Sequence, residues 1–381
     1  MGRVSSLWFG SSARRSALGA ALSLSAGALG SAQAPAPAEG LRPVRVCAGG
    51  DVTLGTNLDA KWPVEAARRL RAQFGLSAQP ESLLAPLRPL VADADVLLLN
   101  VETAIGGGPF TPKCGRASKN CFAFRGDPDA APALRSLAAP GTVVVGNVAN
   151  NHARDAGNEN VRTTIAHLAR AGILATGDDT LATPVILPDG TTIGILGFYT
   201  STETPDVRDI SAVRRHVQRA VEMYGTVIVT AHMGAEGVGA QRTRDATEYF
   251  LESRIDRGNP VAFARAALDA GAALVIGHGP HVLRAVEWRD DRLVLYSLGN
   301  LATYGPFNLL EPMNRGAIAC VDLSGRQVVG AELRPTVQLA PGIVKSDPSA
   351  RALKLMDSLS VLDFPATGGR IDSRGEIKRP D

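Results

Sequence analysis

The stretch Val275–Glu287, "VIGHGPHVLRAVE", is an apolar run that ends in Gly-His and places a second histidine behind a Gly-Pro pair. A short apolar run bounded by glycine and proline is typical of a buried β-strand followed by a turn. Proline prevents a helix from forming, and glycine permits the sharp backbone turn that such a segment needs. The segment therefore predicts a strand whose tight loop directs His278 and His281 into one cleft.

The same kind of ending occurs at four other predicted strands. An apolar run is followed by a side chain that can bind a metal ion at each of them: Asp51 after "VRVCAGG", Glu102 after "VLLLNV", Asn151 and His152 after "VVVGNVAN", and His232 after "VIVTA". Each residue taken alone has an ordinary explanation as a turn former, a helix cap or a hydrogen-bonded histidine. Ligands of open α/β folds collect outside the carboxyl ends of the strands, so five such endings together predict one shared site.

The residue types at these ends favour a metal centre. Neutral imidazole suits Zn and Fe, and carboxylate suits Mn, so the mixed set predicts a divalent metal, one or two ions of Mn, Zn or Fe. A carboxylate that bridges two metals roughly 3.5–4 Å apart would help to generate a hydroxide nucleophile near neutral pH.

Apolar runs of strand and helix type alternate along the rest of the chain, which predicts one large α/β domain at residues 44–340. Hairpins are expected at Pro184–Tyr199, Val286–Asn300 and Gly316–Pro335, where two alternating runs flank a turn. Residues 366–381, "ATGGRIDSRGEIKRPD", are polar and charged and are expected to be disordered.

The N-terminal residues 1–34 have the composition of an export signal. Arginines at positions 3, 14 and 15 precede a small, apolar stretch, and Ala32-Gln33-Ala34 fits a cleavage site. The apolar stretch is too short to span a bilayer, and no later stretch is long enough, so no transmembrane anchor is expected in the mature chain. Residues 35–43 are expected to be a linker, and the protein is expected to be exported, to the periplasm or the extracellular space.

The charge of the chain does not indicate a nucleic-acid partner. The 40 basic and 37 acidic residues give a net charge of +3, but removal of residues 1–34 leaves 37 of each. The apparent basicity therefore belongs to the signal, and no nucleic-acid partner is expected.

The four cysteines fall into two groups. Cys114 and Cys121 flank a short polar loop, "CGRASKNC", and an oxidising compartment favours a disulfide between them over two unpaired thiols. Cys47 and Cys320 both lie in predicted strands, where they either form a disulfide or are simply buried.

Six motifs follow one another in a recognisable order: "GGDVTLG", "NVETAI", "ANNHARDAG", "AHMGAEG", "IGHGPHVL" and "YSLGNL". From about Val44 to about Glu332 the chain resembles the CapA family of capsule-synthesis and poly-gamma-glutamate biosynthesis proteins. That family is a branch of the calcineurin-like metallophosphoesterase superfamily. The resemblance implies a four-layer αββα sandwich, metallophosphoesterase-like, to which C-terminal hairpins are added.

The resemblance also implies roles for individual residues. The implied metal ligands are Asp51, Glu102 as the bridging carboxylate, Asn151, His232, His278 and His281. His152 would be the general acid or an electrostatic stabiliser, and Asp155 would orient it. Glu236 resembles a further acidic residue at the mouth of the cleft.

Two positions depart from the pattern. The first metallophosphoesterase motif is Asp-x-His, whereas this chain has Asp51-Val52-Thr53 and so lacks one imidazole ligand. Gly279 stands where many relatives have histidine.

The motifs predict an exported metal-dependent hydrolase or transferase that acts on a cell-envelope polymer or its precursor. One alternative is a non-catalytic partner in a capsule or polyglutamate assembly complex, and the missing histidine favours it. A second alternative is an exported phosphatase or nucleotidase, closer to the parent superfamily. Fold and ligand set do not fix the substrate.

Overall fold

A computed structural model of the protein describes residues 42–55, 62–77, 79–106, 122–250, 254–305 and 308–380. The helices within these residues are α1 (Trp62–Phe74), α2 (Pro80–Leu84), α3 (Ala130–Arg135), α4 (Asn160–Arg170), α5 (Ile210–Tyr224), α6 (Pro260–Asp269) and α7 (Arg351–Asp363), with a 3₁₀ helix at Ala85–Leu90.

Two of the long helices begin at caps that the sequence encodes. The Asp209 side chain accepts a hydrogen bond from the backbone N–H of Ala212 at 2.9 Å, which satisfies an amide of the first turn of α5. Asn259 caps α6 in the same way, and Pro260 follows at the first helical position.

The strands alternate with the helices in the first part of the chain and follow one another more closely in the second. In chain order they are β1 (Val44–Leu54), β2 (Val96–Val101), β3 (Ala104–Ile105), β4 (Arg125–Gly126), β5 (Val143–Asn147), β6 (Ile173–Thr176), β7 (Thr183–Ile186), β8 (Thr192–Tyr199), β9 (Val227–His232), β10 (Tyr249–Phe250), β11 (Ile255–Asp256), β12 (Leu274–His278), β13 (Val286–Arg289), β14 (Arg292–Leu295), β15 (Asn300–Tyr304), β16 (Arg315–Ser324), β17 (Gln327–Leu339), β18 (Ile343–Ser346), β19 (Arg370–Ile371) and β20 (Ile377–Lys378).

The larger sheet has the order β18-β17-β16-β1-β2-β5-β6, and β15 also pairs with β1. The strands β2 and β15 both run parallel to β1, and Asp51 lies opposite Asn100 on one side and Asn300 on the other. Gly50 permits the close approach of β1 to the chain before β15, because a Cβ atom there would lie 2.0 Å from the carbonyl oxygen of Gly299. The register therefore collects polar side chains around Asp51.

The second sheet has the order β13-β14-β12-β9-β8-β7. The strands β9 and β12 are parallel, and their last residues, His232 and His278, are directly paired in the register. Two imidazoles thus lie side by side at the carboxyl edge of this sheet, where ligands of α/β folds gather.

Three clusters of buried apolar side chains stabilise this arrangement. One contains residues from both sheets, such as Val46 and Ile276. A second joins the larger sheet to helices, with Leu70 of α1 as an example, and the third joins the smaller sheet to α5 and α6, with Phe263 fully buried. The predicted α/β class is confirmed.

The prediction of disorder at residues 366–381 is wrong for residues 366–380. The backbone N–H of Gly369 donates to Val286 at 3.0 Å, and the N–H of Leu333 donates to Gly375 at 2.8 Å. Ile377 is only 4% exposed. The charged side chains of the segment face water. Its backbone is nevertheless hydrogen-bonded to both sheets, and the Ile377 side chain enters the core.

The two open possibilities for Cys47 and Cys320 are resolved as a disulfide, which links the neighbouring strands β1 and β16 at a paired position. Cys114 and Cys121 lie outside the described residues, as do the predicted signal at residues 1–34 and most of the linker at residues 35–43. Among the described helices, none combines the length and the apolar character that crossing a membrane requires.

Thiol titration checks the cysteine pairing. The disulfide between Cys47 and Cys320 removes two thiols, so the denatured, unreduced protein should show at most two of its four cysteines as free thiols. A value of two indicates a single bridge, which peptide mapping then assigns to Cys47–Cys320 or to Cys114–Cys121, and a value near zero indicates that both pairs are bridged. Three or four free thiols would contradict the pairing of the two strands.

Candidate metal centre

Four titratable side chains from both sheets meet in one buried cluster, three of them at strand ends; Asp51 lies within β1, which continues to Leu54 and does not end at Asp51 as predicted. Asp51 Oδ1 lies 3.8 Å from His278 Nδ1 and 4.0 Å from His232 Nδ1. Glu102, directly after β2, places Oε1 at 3.5 Å from His232 Nε2. One ligand atom each of Asp51, Glu102 and His232 can be chosen so that all three lie within 4.8 Å of one another. None of the four residues is more than 1% exposed.

His281 reaches the same cluster through the Gly-Pro turn. Its own backbone is left-handed, with φ of 57°. Its Nδ1 lies 3.0 Å from Asn300 Oδ1 and 3.1 Å from Asp51 Oδ2. Its Nε2 faces Glu102 Oε1 at 3.6 Å and Glu236 Oε2 at 3.9 Å. Because Nδ1 donates to oxygen, Nε2 is the nitrogen that faces the two glutamates.

His152 lies on the other side of Glu102. Its Nδ1 is 2.5 Å from Asp155 Oδ2, which also accepts the backbone N–H of Phe124 at 2.6 Å. Its Nε2 lies 3.8 Å from Glu102 Oε1. Asp155 therefore fixes the ring so that Nε2 faces the cluster, which is the contact that its expected orienting role requires. Asn151 lies in the same turn with its Oδ1 atom buried.

Buried asparagines on β2, β5 and β15 form hydrogen bonds with residues of the cluster and with one another. Asn100 donates from Nδ2 to Asp51 Oδ1 at 2.8 Å, and the same Nδ2 lies 3.1 Å from His232 Nδ1. Its Oδ1 accepts from Asn147 at 3.0 Å. The sequence pattern does not reveal the roles of Asn147 and Asn300, although both lie at strand positions that are in register with the ligand-bearing strands. Such partners orient metal ligands.

Two further residues of the site, Arg257 and Tyr199, are not predicted from the sequence pattern either. Arg257 Nη2 lies 2.7 Å from Glu236 Oε1, and its guanidinium carbon lies 5.5 Å from the centre of the Tyr199 ring. The Tyr199 ring meets His232 edge to face at 5.6 Å. The available signal is the "GNP" start of α6, since helix starts in βα units lie at the same sheet edge as the strand ends.

A buried ion pair holds the connection between β9 and α6, which carries Glu236 and Arg257. Arg284 is fully buried and donates to both carboxylate oxygens of Glu248, at 3.0 and 2.7 Å. Its Nε donates to the backbone carbonyl group of Ala240, and Nη2 also donates to that of Ala235. These contacts fix the backbone of the segment that carries Glu236.

The two central carboxylates have opposite pKa shifts. Burial raises the pKa of Asp51, but its hydrogen bond to His281 and the three nearby histidines outweigh burial and hold that pKa well below its usual range. Burial raises the pKa of Glu102 well above its usual range, and the charges of Asp51 and Glu236 add to the effect. Glu102 is therefore the group whose pKa a nearby cation would change most.

The histidines divide in the same way. Burial lowers the pKa of His278 to about 4 and holds the pKa of His232 well below its usual range, where Arg257 lowers it further. Burial also lowers the pKa of His281, but the charges of Glu102 and Asp51 outweigh it and raise that pKa to about 10. In the absence of a cation, the proton on His281 supplies positive charge to the cluster.

The donor atoms fit a divalent cation. Both oxygens of Glu102, Nε2 of His232 and both nitrogens of His278 are buried, and within the described residues they have no hydrogen-bond partner. Burying such groups without a partner is costly, above all for an ionised carboxylate. Carboxylate and imidazole are also ligands that Mn, Zn and Fe accept. Thr53 is buried on β1 in place of the superfamily's histidine, and it offers only a hydroxyl.

The chain matches a model of a protein family. The model described as "Bacterial capsule synthesis protein PGA_cap" matches residues 45–304, more than half of the chain. All the residues of the cluster fall within the matched residues. The predicted resemblance to capsule-synthesis proteins is confirmed.

Curated relatives agree with the family match. The chain is 28% identical over 290 residues to a probable polyglutamine synthesis accessory protein of Mycobacterium tuberculosis, covering 68% of this chain and 74% of that protein. It is 29% identical over 170 residues to the PGA biosynthesis protein CapA of Bacillus subtilis, covering 40% and 41%. With the capsule biosynthesis protein CapA of Bacillus anthracis, identity is 26% over 176 residues, covering 40% and 38%.

Proposed function

This chain belongs to the PGA_cap family of bacterial capsule synthesis proteins, and from that premise we propose that it is an exported, metal-dependent hydrolase or transferase. Its substrate class is an anionic envelope polymer, such as a gamma-linked polyglutamate, or the precursor of one. The names of the relatives support this substrate class, since they refer to polyglutamine synthesis and to PGA biosynthesis.

One observation carries the proposal: within the described residues, Glu102, His232 and His278 have buried donor atoms without hydrogen-bond partners, and these side chains lie close to Asp51 or to one another. A purely structural cluster would satisfy these atoms with hydrogen bonds, because unpaired buried polar groups destabilise a fold. A divalent cation satisfies them together, with Asp51 and Glu102 supplying negative charge and the histidines supplying neutral nitrogens.

The cation, when bound, supplies Lewis acidity and lowers the pKa of a water molecule towards neutrality. The chain's own residues supply the proton transfer. Asp155 holds the proton on His152 Nδ1, so that Nε2 is directed to the cluster and can give or take a proton at the reacting group. Burial of Glu102 and both strand-end histidines keeps bulk water away from the ligands.

The proposal also includes export of the protein and the order of its helix and sheet layers. The disulfide between two core strands supports an oxidising compartment, in agreement with a signal at residues 1–34. We infer a four-layer αββα sandwich, which is supported by an apolar cluster shared by both sheets and by separate clusters between each sheet and its helices. We also infer that the protein acts alongside an envelope-polymer assembly complex.

A non-catalytic role in such a complex is the second candidate, and Thr53 is the observation that favours it. The side chain at this position cannot supply the imidazole of the superfamily motif, which weakens one of two metal sites. A cluster that binds an ion but turns over no substrate would serve to shape a polymer-binding cleft.

Metal content and turnover test the proposal together. The wild type, His278→Ala and Glu102→Ala are compared for bound metal and for cleavage of poly-gamma-glutamate and a model phosphodiester, with His216→Ala on α5 as the control. We expect metal and turnover in the wild type and the control, and loss of both in the two site variants. Metal without turnover, with site variants that still restore capsule formation, would favour the binding role. Equal metal content in all four proteins would overturn the metal site.

Metal uptake is expected to release a proton and to strengthen as the pH rises. The pKa of His281 is raised to about 10, so at pH 7 to 8 its ring is protonated and must become neutral to bind a cation. The apparent affinity should therefore rise by about tenfold per pH unit for each proton released. Calorimetry in buffers of different ionisation enthalpy counts the protons, and His281→Gln should release fewer. Uptake that is independent of pH between 6 and 9 would contradict this prediction.

A further inference from the structure

Arg257 is held beside the candidate metal centre but lies outside its ligand set. Its side chain is 3% exposed. Nε donates to the carbonyl oxygen of Gly234 at 3.2 Å, and Nη1 lies 3.5 Å from the hydroxyl oxygen of Tyr199. The Tyr199 ring lies against the guanidinium, so the planar group is fixed on one side and its Nη2 end is directed away from these supports.

The Nη2 end borders the space into which the metal ligands point. A Cβ atom built on Gly279 would lie 3.0 Å from His232 Nε2 and 3.2 Å from Arg257 Nη2, so the two nitrogens adjoin the same small volume. Gly279 has a φ of 106°, which favours glycine, and a side chain at this position would crowd both nitrogens.

The present neighbour of Nη2 is replaceable. Glu236 Oε1 lies 2.7 Å away, yet neither of these atoms makes a hydrogen bond of good geometry within the described residues. Arginine binds carboxylates and phosphates best through two directed N–H groups, a geometry that Glu236 does not reach here. The Glu236 side chain is 11% exposed, so it can turn towards water when another anion arrives.

We propose that Arg257 binds an oxyanion of the substrate next to the metal centre, and that Glu236 is its counter-ion only while the cleft is empty. This inference rests on the proposed function and names the recognised group: a carboxylate, as repeated along polyglutamate, or a phosphate. The two anions share the same chemistry, and the experiment below distinguishes them. The metal ligands position the reacting atom, and Arg257 positions the charge beside it.

Titration of two small anions tests the assignment. Inorganic phosphate and glutarate are titrated calorimetrically into protein loaded with Mn²⁺, for the wild type, Arg257→Gln, Arg257→Lys and Glu236→Gln. The control is Arg244→Gln, which changes an exposed arginine of the same connection. Metal content and melting temperature are recorded for each protein, so that loss of folding or of the ion is not mistaken for loss of anion binding.

We expect Arg257→Gln to bind the preferred anion roughly 10- to 100-fold more weakly at unchanged metal content, because a hydrogen bond to a charged group is lost. Arg257→Lys should recover only part of the affinity, since it keeps the charge without the fork. Glu236→Gln should bind several-fold more tightly, because the competing carboxylate is gone. The anion that the wild type binds more tightly identifies the source as carboxylate or phosphate.

Equal affinity in the wild type and Arg257→Gln, with Glu236→Gln also unchanged, would overturn the assignment. A wild type that takes up no Mn²⁺ would overturn the proposed function instead. In that case the same titrations on metal-free protein still decide the role of Arg257, because its donors remain in place without the ion.

Discussion

Replacement of Glu102 by glutamine is expected to change the thermal stability in opposite directions with and without metal. In the metal-free protein the variant should be the more stable one. Burial raises the pKa of Glu102 above its ordinary 4.5, so the ionised form is disfavoured in the folded state and stability is lost as the pH rises through and above that ordinary value. Glutamine has no such loss, and the advantage of the variant should widen with pH.

With a saturating divalent cation the order should reverse. A ligand that is present at 100 times its Kd stabilises the folded state by about 2.7 kcal/mol, and the variant without the Glu102 carboxylate should lose most of that gain. Melting temperatures at pH 6, 7 and 8, with EDTA and with Mn²⁺, measure both effects. Glu222→Gln, an exposed change on α5, is the control and should follow the wild type. The same shift in melting temperature with and without the ion would contradict a role for Glu102 in binding it.

Loss of the Glu248 carboxylate is expected to give the largest purely structural effect. Arg284 is fully buried, and Glu248→Gln removes the charge that compensates it. Breaking a buried pair in this way costs about 3–5 kcal/mol, most of it from the stranded charge and not from the lost attraction. Urea denaturation of the metal-free protein measures the change in the free energy of unfolding.

Two further variants interpret that result. The double variant Arg284→Met with Glu248→Leu removes both charges and should recover most of the stability, although the bonds to Ala235 and Ala240 are lost. Asp269→Asn breaks an exposed pair with Arg214 and should change stability by less than about 1 kcal/mol. If Glu248→Gln has as little effect as Asp269→Asn, the connection that carries Glu236 is not held by this pair.

The parts of the site that were predictable from the sequence are those at the ends of apolar strands. His232, His278 and Glu102 each follow a run whose length and composition fix it as a buried strand, and parallel strands bring such ends to one edge. The Gly-Pro turn was also informative, because it allowed His281 to return to the cleft. That these residues bind a metal ion remains a prediction.

The parts that were not predictable depend on contacts between distant segments. Arg257 lies in a long polar connection, and only the packing of Tyr199 and Gly279 shows that it faces the cluster. The disulfide of Cys47 with Cys320 depends on the antiparallel register of two strands, and the two cysteines are 273 residues apart in the sequence. The C-terminal residues looked disordered because composition reports side chains, whereas the backbone bonds of Gly369 and Gly375 hold the segment.

Anomalous diffraction from a crystal grown with Mn²⁺ tests the central claim most directly. We expect an anomalous peak within bonding distance of Asp51, Glu102 and His232, and its loss in crystals of Glu102→Gln. A peak elsewhere in the chain, or no peak in the wild type at a Mn²⁺ concentration that saturates the protein in solution, would contradict the proposed metal centre.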